Sequence, residues 1–419
     1  MLWVKANKLL PPHSGGDIRS YNIARCLAMR HELTFLSYYD GDVDLAYEQA
    51  LQEEFPRAVC VCTGKSARIF NRGLEYVLSL PGDAPYAVRR FASAVVREKI
   101  AHWYGRSSFD VVICDFLDAA VNFPRKLTIP SVLFQHNVES EIWRRHAALE
   151  SNILKRVMYR VEFKKMLRYE KWAVRDFDHV IAVSEHDREL MSGWVDANRI
   201  SVVPTGVDLQ NFHPVAQLAS KPLVVFVGAM DWEPNIDAVE YFCDRVWPKI
   251  EKGVPCARFR IVGRNPGRRV QKFASDSIEV TGSVPSVQSH LQEAAVVVVP
   301  LRIGGGTRLK IYEAMAMGKA VVSTSIGAEG LDVHDGRDIV LADQADAFAQ
   351  AVTILLQEDQ LRGKYERAAI NLARQCDWPE IGKKFADVLE AVASTSVKAT
   401  GIRVPEAVPV ADGCGERGR

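Results

Sequence analysis

Three glycines, two cations and a carboxylate lie together in Gly304-Gly305-Gly306-Thr307-Arg308-Leu309-Lys310-Ile311-Tyr312-Glu313. The stretch follows an apolar run, 294–300, and opens a helical pattern that Gly318 stops. Successive glycines let the backbone approach a ligand closely. A helix start adds free N–H groups and the positive end of the dipole, which together favour phosphate. Arg308 and Lys310 would reinforce that preference, and Glu313 could accept hydrogen bonds from vicinal sugar hydroxyls. A flexible turn before a solvated basic face is the competing reading. The coincidence of strand, glycines, helix start and paired cations favours the anion site. No G-x-G-x-x-G follows a strand and no G-x-x-x-x-G-K-[ST] occurs, which argues against a nicotinamide dehydrogenase and a P-loop NTPase.

His136 follows the run 131–135, at the carboxyl end of an expected strand, where open α/β sheets bind ligands. A hydrogen-bonded structural histidine is the other reading. Asp115, just past 111–114, either faces an acceptor or stays structural. Ser184-x-x-Asp187 reads as a helix N-cap with an acidic first turn. Asp40-Gly41-Asp42-Val43-Asp44 holds the Asp-x-Asp strings that could suggest a metal, but it reads as a solvated loop, so no metal site is expected. The eight cysteines are scattered and read as reduced thiols.

The elements that must hold these residues are short β-branched runs separated by helical patterns. They fall at 33–39, 58–63, 111–114, 131–135, 179–184 and 200–204, then at 223–228, 258–263, 277–281, 294–300, 320–324 and 339–342. Several are apolar throughout, as in parallel strands covered on both faces. Strand–helix alternation implies right-handed βαβ units. The turn-rich stretch near 204–222 divides the chain. The expected architecture is α/β: two facing Rossmann-like, doubly wound domains, 1–212 and 213–394, with a ligand cleft between them. Residues 395–419 lack periodicity and read as a disordered tail.

Charge constrains the partners. Lys+Arg is 53 against 52 Asp+Glu, a net charge of +1, which argues against a nucleic-acid binder. That total hides a local excess: residues 151–175 hold eight cations and two carboxylates in a helical pattern, with Ile153, Leu154, Val157, Met158 and Val161 as an apolar stripe. Contact with anionic lipid and ordinary packing on a sheet both remain open for it. No apolar run reaches the roughly 18 residues of a membrane span, and the first ten residues do not read as a secretory signal. The expected location is cytoplasmic; peripheral contact at the inner face of a membrane follows only if the basic helix meets lipid.

Taken in order, these segments resemble family-4 retaining glycosyltransferases of the GT-B fold (glycosyltransferase group 1). The resemblance spans about residues 10–390. It is carried by Pro11-Pro12-His13-Ser14-Gly15-Gly16, Gln135-His136-Asn137, Ile181-Ala182-Val183-Ser184-Glu185, Pro204-Thr205-Gly206-Val207-Asp208, Phe226-Val227-Gly228, Ile261-Val262-Gly263, Val280-Thr281-Gly282-Ser283-Val284 and Gly304 to Gly318. It implies that Glu313 binds the nucleotide ribose and that Arg308 and Lys310 hold the departing diphosphate. Gly15 and Gly16 would let the first loop approach the donor phosphates, joined by Gly304, Gly305, Gly306 and Thr307. His136 would sit at the reacting centre, and Gly228, Gly263 and the backbone around Val284 would line the donor site. The final helix, about 379–394, would cross back to the first domain.

Two departures stand out. Gly305 occupies the position where the family often carries a glutamate, which leaves the donor sugar open. The stretch 228–235 lacks the arginine and lysine many relatives place there, so Arg308 and Lys310 would take the diphosphate alone. The expected activity is metal-independent retaining transfer of a sugar from a nucleotide diphosphate to a glycan or lipid-linked acceptor, with no cofactor. A GT-B sugar-nucleotide epimerase or hydrolase, and a non-catalytic nucleotide-sugar-binding protein, are the alternatives.

Overall fold

The computed structural model describes residues 1–12, 14–64, 82, 84–105, 109–125, 127–214, 222–303 and 308–400. Among them, seven strands form a first sheet: β1 (Leu2–Ala6), β2 (Thr34–Tyr39), β3 (Ala58–Cys62), β4 (Val112–Asp115), β5 (Ser131–Phe134), β6 (His179–Ala182) and β7 (Ile200–Val202). Six form a second: β8 (Leu223–Val227), β9 (Arg258–Val262), β10 (Ile278–Gly282), β11 (Val296–Val299), β12 (Ala320–Ser323) and β13 (Val340–Leu341). The helices that place the site are α1 (Gly15–Ala28), α2 (Glu139–Leu149), α3 (Ile153–Asp176), α4 (Glu185–Ser192), α5 (Glu233–Tyr241), α6 (Leu309–Ala316) and α7 (Trp378–Thr400).

Every strand pairing is parallel, as the wholly apolar runs require; the four valines of β11 are all buried. The first sheet runs β3-β2-β1-β4-β5-β6-β7 and the second β10-β9-β8-β11-β12-β13. Strand order therefore reverses between β1 and β4, and again between β8 and β11. Ligands bind beyond the carboxyl ends at such reversals. This is the GT-B arrangement of two Rossmann-like sheets.

All twelve expected strands occur, their ends shifted by up to two residues. The omission is β1, an inner strand between β2 and β4, which the reading of the first ten residues passed over. Its sequence Leu-Trp-Val-Lys-Ala carries a lysine mid-run, yet all five residues are buried. Lys5 is tolerated because Asp17 (3.2 Å) and Asp115 (3.7 Å) flank its ammonium. A buried charge must be paired, and its partners lie too far along the chain for local pattern to reveal them.

Helix α7 returns to the first sheet: Trp378, Ile381, Phe385 and Leu389 share one core with Trp3, Phe35 and Phe134. Its start is tied to the segment that links the sheets. The Val207 amide donates to the Cys376 carbonyl (2.7 Å), and a Cβ on Gly206 would stand 2.5 Å from the Trp378 ring. The helix is described as far as Thr400, so 395–400 are helical where the sequence reading expected a disordered tail; 401–419 lie outside the described residues. Among the described residues no helix is long and apolar enough to cross a membrane.

Candidate active site

On the first sheet the site is built at the β1/β4 reversal. Ser14 caps α1, accepting from the Asp17 amide (3.1 Å), while the Asp17 carboxylate accepts from the Ser14 amide (3.4 Å). Gly15 and Gly16 are the first helical residues. A Cβ on Gly16 would fall 2.3 Å from the Phe116 ring, so glycine is what lets that ring lie against the helix start. Phe116 itself has φ +68°, a left-handed conformation that costs a bulky residue energy. It holds the ring parallel to His136, with centroids 3.6 Å apart.

His136 is buried and both ring nitrogens are engaged. Nε2 lies 2.7 Å from Asp115 Oδ1, and Nδ1 lies 3.1 Å from Arg19 Nη1. A carboxylate only accepts and a guanidinium only donates. Nε2 therefore carries the hydrogen and Nδ1 accepts. Burial outweighs the attraction of Asp115 and pushes the imidazole down to about 4, so it is neutral at pH 7. Asp115 is held below its ordinary value: burial opposes ionisation, but Lys5 and His136 prevail. Its other oxygen accepts from the Trp3 indole (3.0 Å). Asp115 thus lies beneath His136 rather than facing an acceptor. His136 stands at the sheet's carboxyl end, but its ring has no nitrogen to spare for proton transfer. What it offers is a rigid wall and an ordered 135–137 turn. Glu170 fixes that turn from below, accepting from Gln135 Nε2 (2.7 Å) and the amides of Glu139 (2.7 Å) and Ser140 (3.0 Å).

On the second sheet the β8/β11 reversal carries α6. Arg308 is its N-cap, buried, and Lys310 and Glu313 are half-buried on its first turns. Lys310 Nζ donates to Asn235 Oδ1 (3.0 Å) and stands 4.7 Å over the Phe226 ring. Burial, then the like charge of Arg308, pushes Lys310 down to about 7, against the pull of Glu313. Burial lowers Arg308 to about 10 and raises Glu313 to about 7, where Lys310 opposes it. Asn235 was missed in the sequence; it is buried on α5 and its amide also donates to the Ala229 carbonyl (2.8 Å). Gly228 lets it approach, since a Cβ there would meet its amide at 2.8 Å. Gly263 in turn permits close backbone contact, its Cβ position lying 1.7 Å from Gly228 O. Both glycines pack the turns behind Lys310. Val284 follows β10 and is half-buried against the second core. Gly304, Gly305, Gly306 and Thr307 lie outside the described residues.

The two halves meet. A Cβ on Gly15 would stand 3.3 Å from Leu309 on α6, and Leu309 joins the core that holds Trp3 and Phe134. The start of α1, with His136 behind it, therefore faces the start of α6. A second bridge joins Arg145 on α2 to Glu329 through paired hydrogen bonds of 2.6 and 2.7 Å.

The family profile described as Glycosyltransferase Family 4 matches residues 13–211, and that described as Glycosyl transferases group 1 matches 221–358. The chain is a family 4 glycosyltransferase. This glycosyltransferase is 26% identical over 343 residues to the phosphatidyl-myo-inositol mannosyltransferase of Mycolicibacterium smegmatis, covering 77% of this chain and 83% of that protein. The Mycobacterium tuberculosis protein of the same name is 27% identical over 336 residues, covering 76% and 83%. Among solved structures, sucrose-phosphate synthase from Thermosynechococcus elongatus superposes with a TM-score of 0.68 at 15% identity, covering 94% of this chain and 99% of that one. Anabaena HepE in complex with UDP and glucose superposes at 0.64, with 14% identity and coverage of 93% and 99%. Both share the fold.

Other residues of the glycosyltransferase escaped the sequence reading. Lys5, Arg19 and Phe116 left no local signal, because each is defined by a partner distant in the chain. Arg145 and Glu329 sit on opposite sides of the cleft and were unremarkable as single charges. Ser184 behaves as expected, accepting from the Asp187 amide (3.1 Å) to cap α4. Asp44 does likewise for the helix after the Asp-rich loop, accepting from the Tyr47 amide (3.0 Å) and pairing with Lys8 (2.6 Å).

Proposed function

We propose that the enzyme transfers a sugar from a nucleotide diphosphate donor to a glycan or lipid-linked acceptor, with retention of anomeric configuration and without a metal. The observation that carries this reading is the placement of Arg308, Lys310 and Glu313 at the start of α6, facing the start of α1 across the cleft. Breaking a glycosyl–phosphate bond places negative charge on the departing diphosphate. Fixed cations at a helix start stabilise that charge more as it develops than before, which lowers the barrier. Glu313 is the carboxylate for the ribose hydroxyls. His136, neutral and tied at both nitrogens, walls the donor sugar rather than exchanging protons. Among the described residues no side chain is placed as a nucleophile, which favours attack by the acceptor on the face the diphosphate leaves. Cofactors have no part in this scheme.

The domain division at about 212 also belongs to this reading, with the first sheet on the acceptor side and the second holding the nucleotide. The named relatives put mannosyl donors and phosphatidylinositol first among candidates. The test is a nucleotide-sugar panel with and without a lipid and glycan extract, scored by mass spectrometry, with product configuration read by NMR. Acceptor-dependent transfer with retention supports the reading. Donor turnover that needs no acceptor would establish a hydrolase or epimerase instead.

A further inference from the structure

We propose that the tip of the α2–α3 hairpin docks on an anionic phospholipid surface. Ile153, Leu154 and Val157 occupy the first two turns of α3 and are 73%, 81% and 53% exposed. They are three within five residues of one helix, whereas the other large exposed apolar side chains among the described residues are the pair Val43 and Leu45 and the isolated Met29, Val95 and Trp232. The sequence suggested one continuous apolar stripe along this helix. The structure divides it. Met166, Ala173 and Val174 turn into the first sheet's core, so the distal half of α3 is an ordinary packed helix. The proximal half leaves Ile153, Leu154 and Val157 uncovered, while Met158 and Val161 are half-buried.

The cations complete the surface. At helical spacing, Ile153, Val157, Arg160, Lys164, Arg168 and Lys171 fall along one face. The apolar tip therefore runs straight into a basic band, and Lys155 adds a cation at the tip itself. Arg160, Lys164 and Arg168 are exposed. Glu162 and Glu170, the carboxylates within this stretch of α3, are buried on the opposite side. A tip of bare aliphatic chains backed by cations matches a bilayer whose acyl region lies beneath an anionic headgroup layer.

The hairpin also has the right connection. Helix α2 starts three residues after His136 and carries the chain about 16 Å to its far end. A bilayer at the tip would lie within reach of a cleft whose acceptor is anchored in it. This part rests on the glycosyltransferase reading; surface binding does not.

The experiment is co-sedimentation of the full chain with phosphatidylcholine vesicles, with and without phosphatidylglycerol. Binding to the anionic vesicles alone, weakened by salt, is expected. The Ile153→Ser/Leu154→Ser/Val157→Ser variant should lose it, and Lys164→Gln/Arg168→Gln should weaken it about fivefold per cation removed. All five residues lie outside the cleft, so donor turnover with a water-soluble acceptor should stay at the wild-type level. That readout separates failure of the docking proposal from failure of the enzymatic one. Absence of sedimentation, or sedimentation indifferent to both variants, overturns the proposal. So does a wild-type dimer that the serine variant makes monomeric without any vesicle binding, since the apolar tip would then cover a second copy.

Discussion

Replacing Lys310 by methionine tests the donor site most directly. Methionine keeps much of the unbranched chain while removing the charge that stands over Phe226. Asn235 Oδ1 loses its bond from Nζ, but the same amide still donates to Ala229 O (2.8 Å). Removing a desolvated cation offsets that loss, so the thermal midpoint should hold within a few degrees. Nucleotide binding should not. A unit charge about 4 Å from a phosphate oxygen, at an effective dielectric near 20, contributes about 4 kcal/mol, or roughly 10³-fold in affinity. Arg308 retains part of the field, so a loss of about 10²- to 10³-fold is expected for UDP or GDP. The pH dependence adds a signature. Lys310 titrates near 7 in the free protein because burial lowers it. Below that value the ammonium is present and affinity is flat. Above it a proton must be taken up with the ligand, and affinity falls by up to about tenfold per pH unit. Calorimetric titrations at several pH values between 6 and 9 read both effects. Glu313 titrates in the same range, so the variant keeps any slope due to that carboxylate and loses the rest. If Lys310→Met binds nucleotide as tightly as wild type with an unchanged slope, Lys310 does not hold the diphosphate.

Other expectations follow from single contacts. Glu313→Ala should weaken nucleoside diphosphates yet leave pyrophosphate binding nearly unchanged, because only the former carry a ribose; equal loss for both ligands refutes the ribose assignment. Gly16→Ala places a methyl where Phe116 stands 2.3 Å away and should cost about 1–3 kcal/mol in denaturant unfolding, with activity reduced. A variant as stable and active as wild type shows that the Phe116–His136 stack is not required. His136 should give an NMR signal of a neutral imidazole protonated at Nε2 from pH 8 down to about 4. Because its pKa is depressed, it contributes stability above the unfolded value near 6.5 that is lost as pH falls towards 4; titration above 6 contradicts the burial argument. Glu329→Gln and Arg145→Ala, combined in a double-mutant cycle, should show coupling near 1 kcal/mol for a half-buried paired contact, and additive effects exclude the bridge.

Helical and strand periodicity exposed most of this fold because parallel strands buried on both faces need no alternation. Runs such as 294–300 declare themselves by composition alone. The placement of candidate residues was legible where a local motif carries it: Arg308, Lys310 and Glu313 lie together at one helix start. It was hidden where a charge is defined by its partners. Lys5 gave no local sign of a strand, yet it occupies an inner one. Its partners Asp17 and Asp115 lie on the following helix and on the neighbouring strand. The same holds for Arg19, whose guanidinium reaches His136 (3.1 Å) and Thr205 (3.4 Å).

These long-range pairs share a physical role. At the carboxyl end of the first sheet the polar side chains satisfy one another in a line, from Asp17 through Lys5 and Asp115 to the neutral His136 and Arg19. Removing one member strands its neighbours, which is more costly than the pair is worth. The chain therefore fixes the position of His136 far more firmly than any single hydrogen bond could. The second sheet does the opposite. Lys310 and Glu313 are half-buried, and burial pushes each towards its neutral form, so charge there is held against its own desolvation. A site poised in this way gains most when an anionic ligand arrives to restore the missing partner. In the function proposed above, the rigid wall would orient the donor sugar and the electrostatically poised helix would meet the charge that develops on the diphosphate.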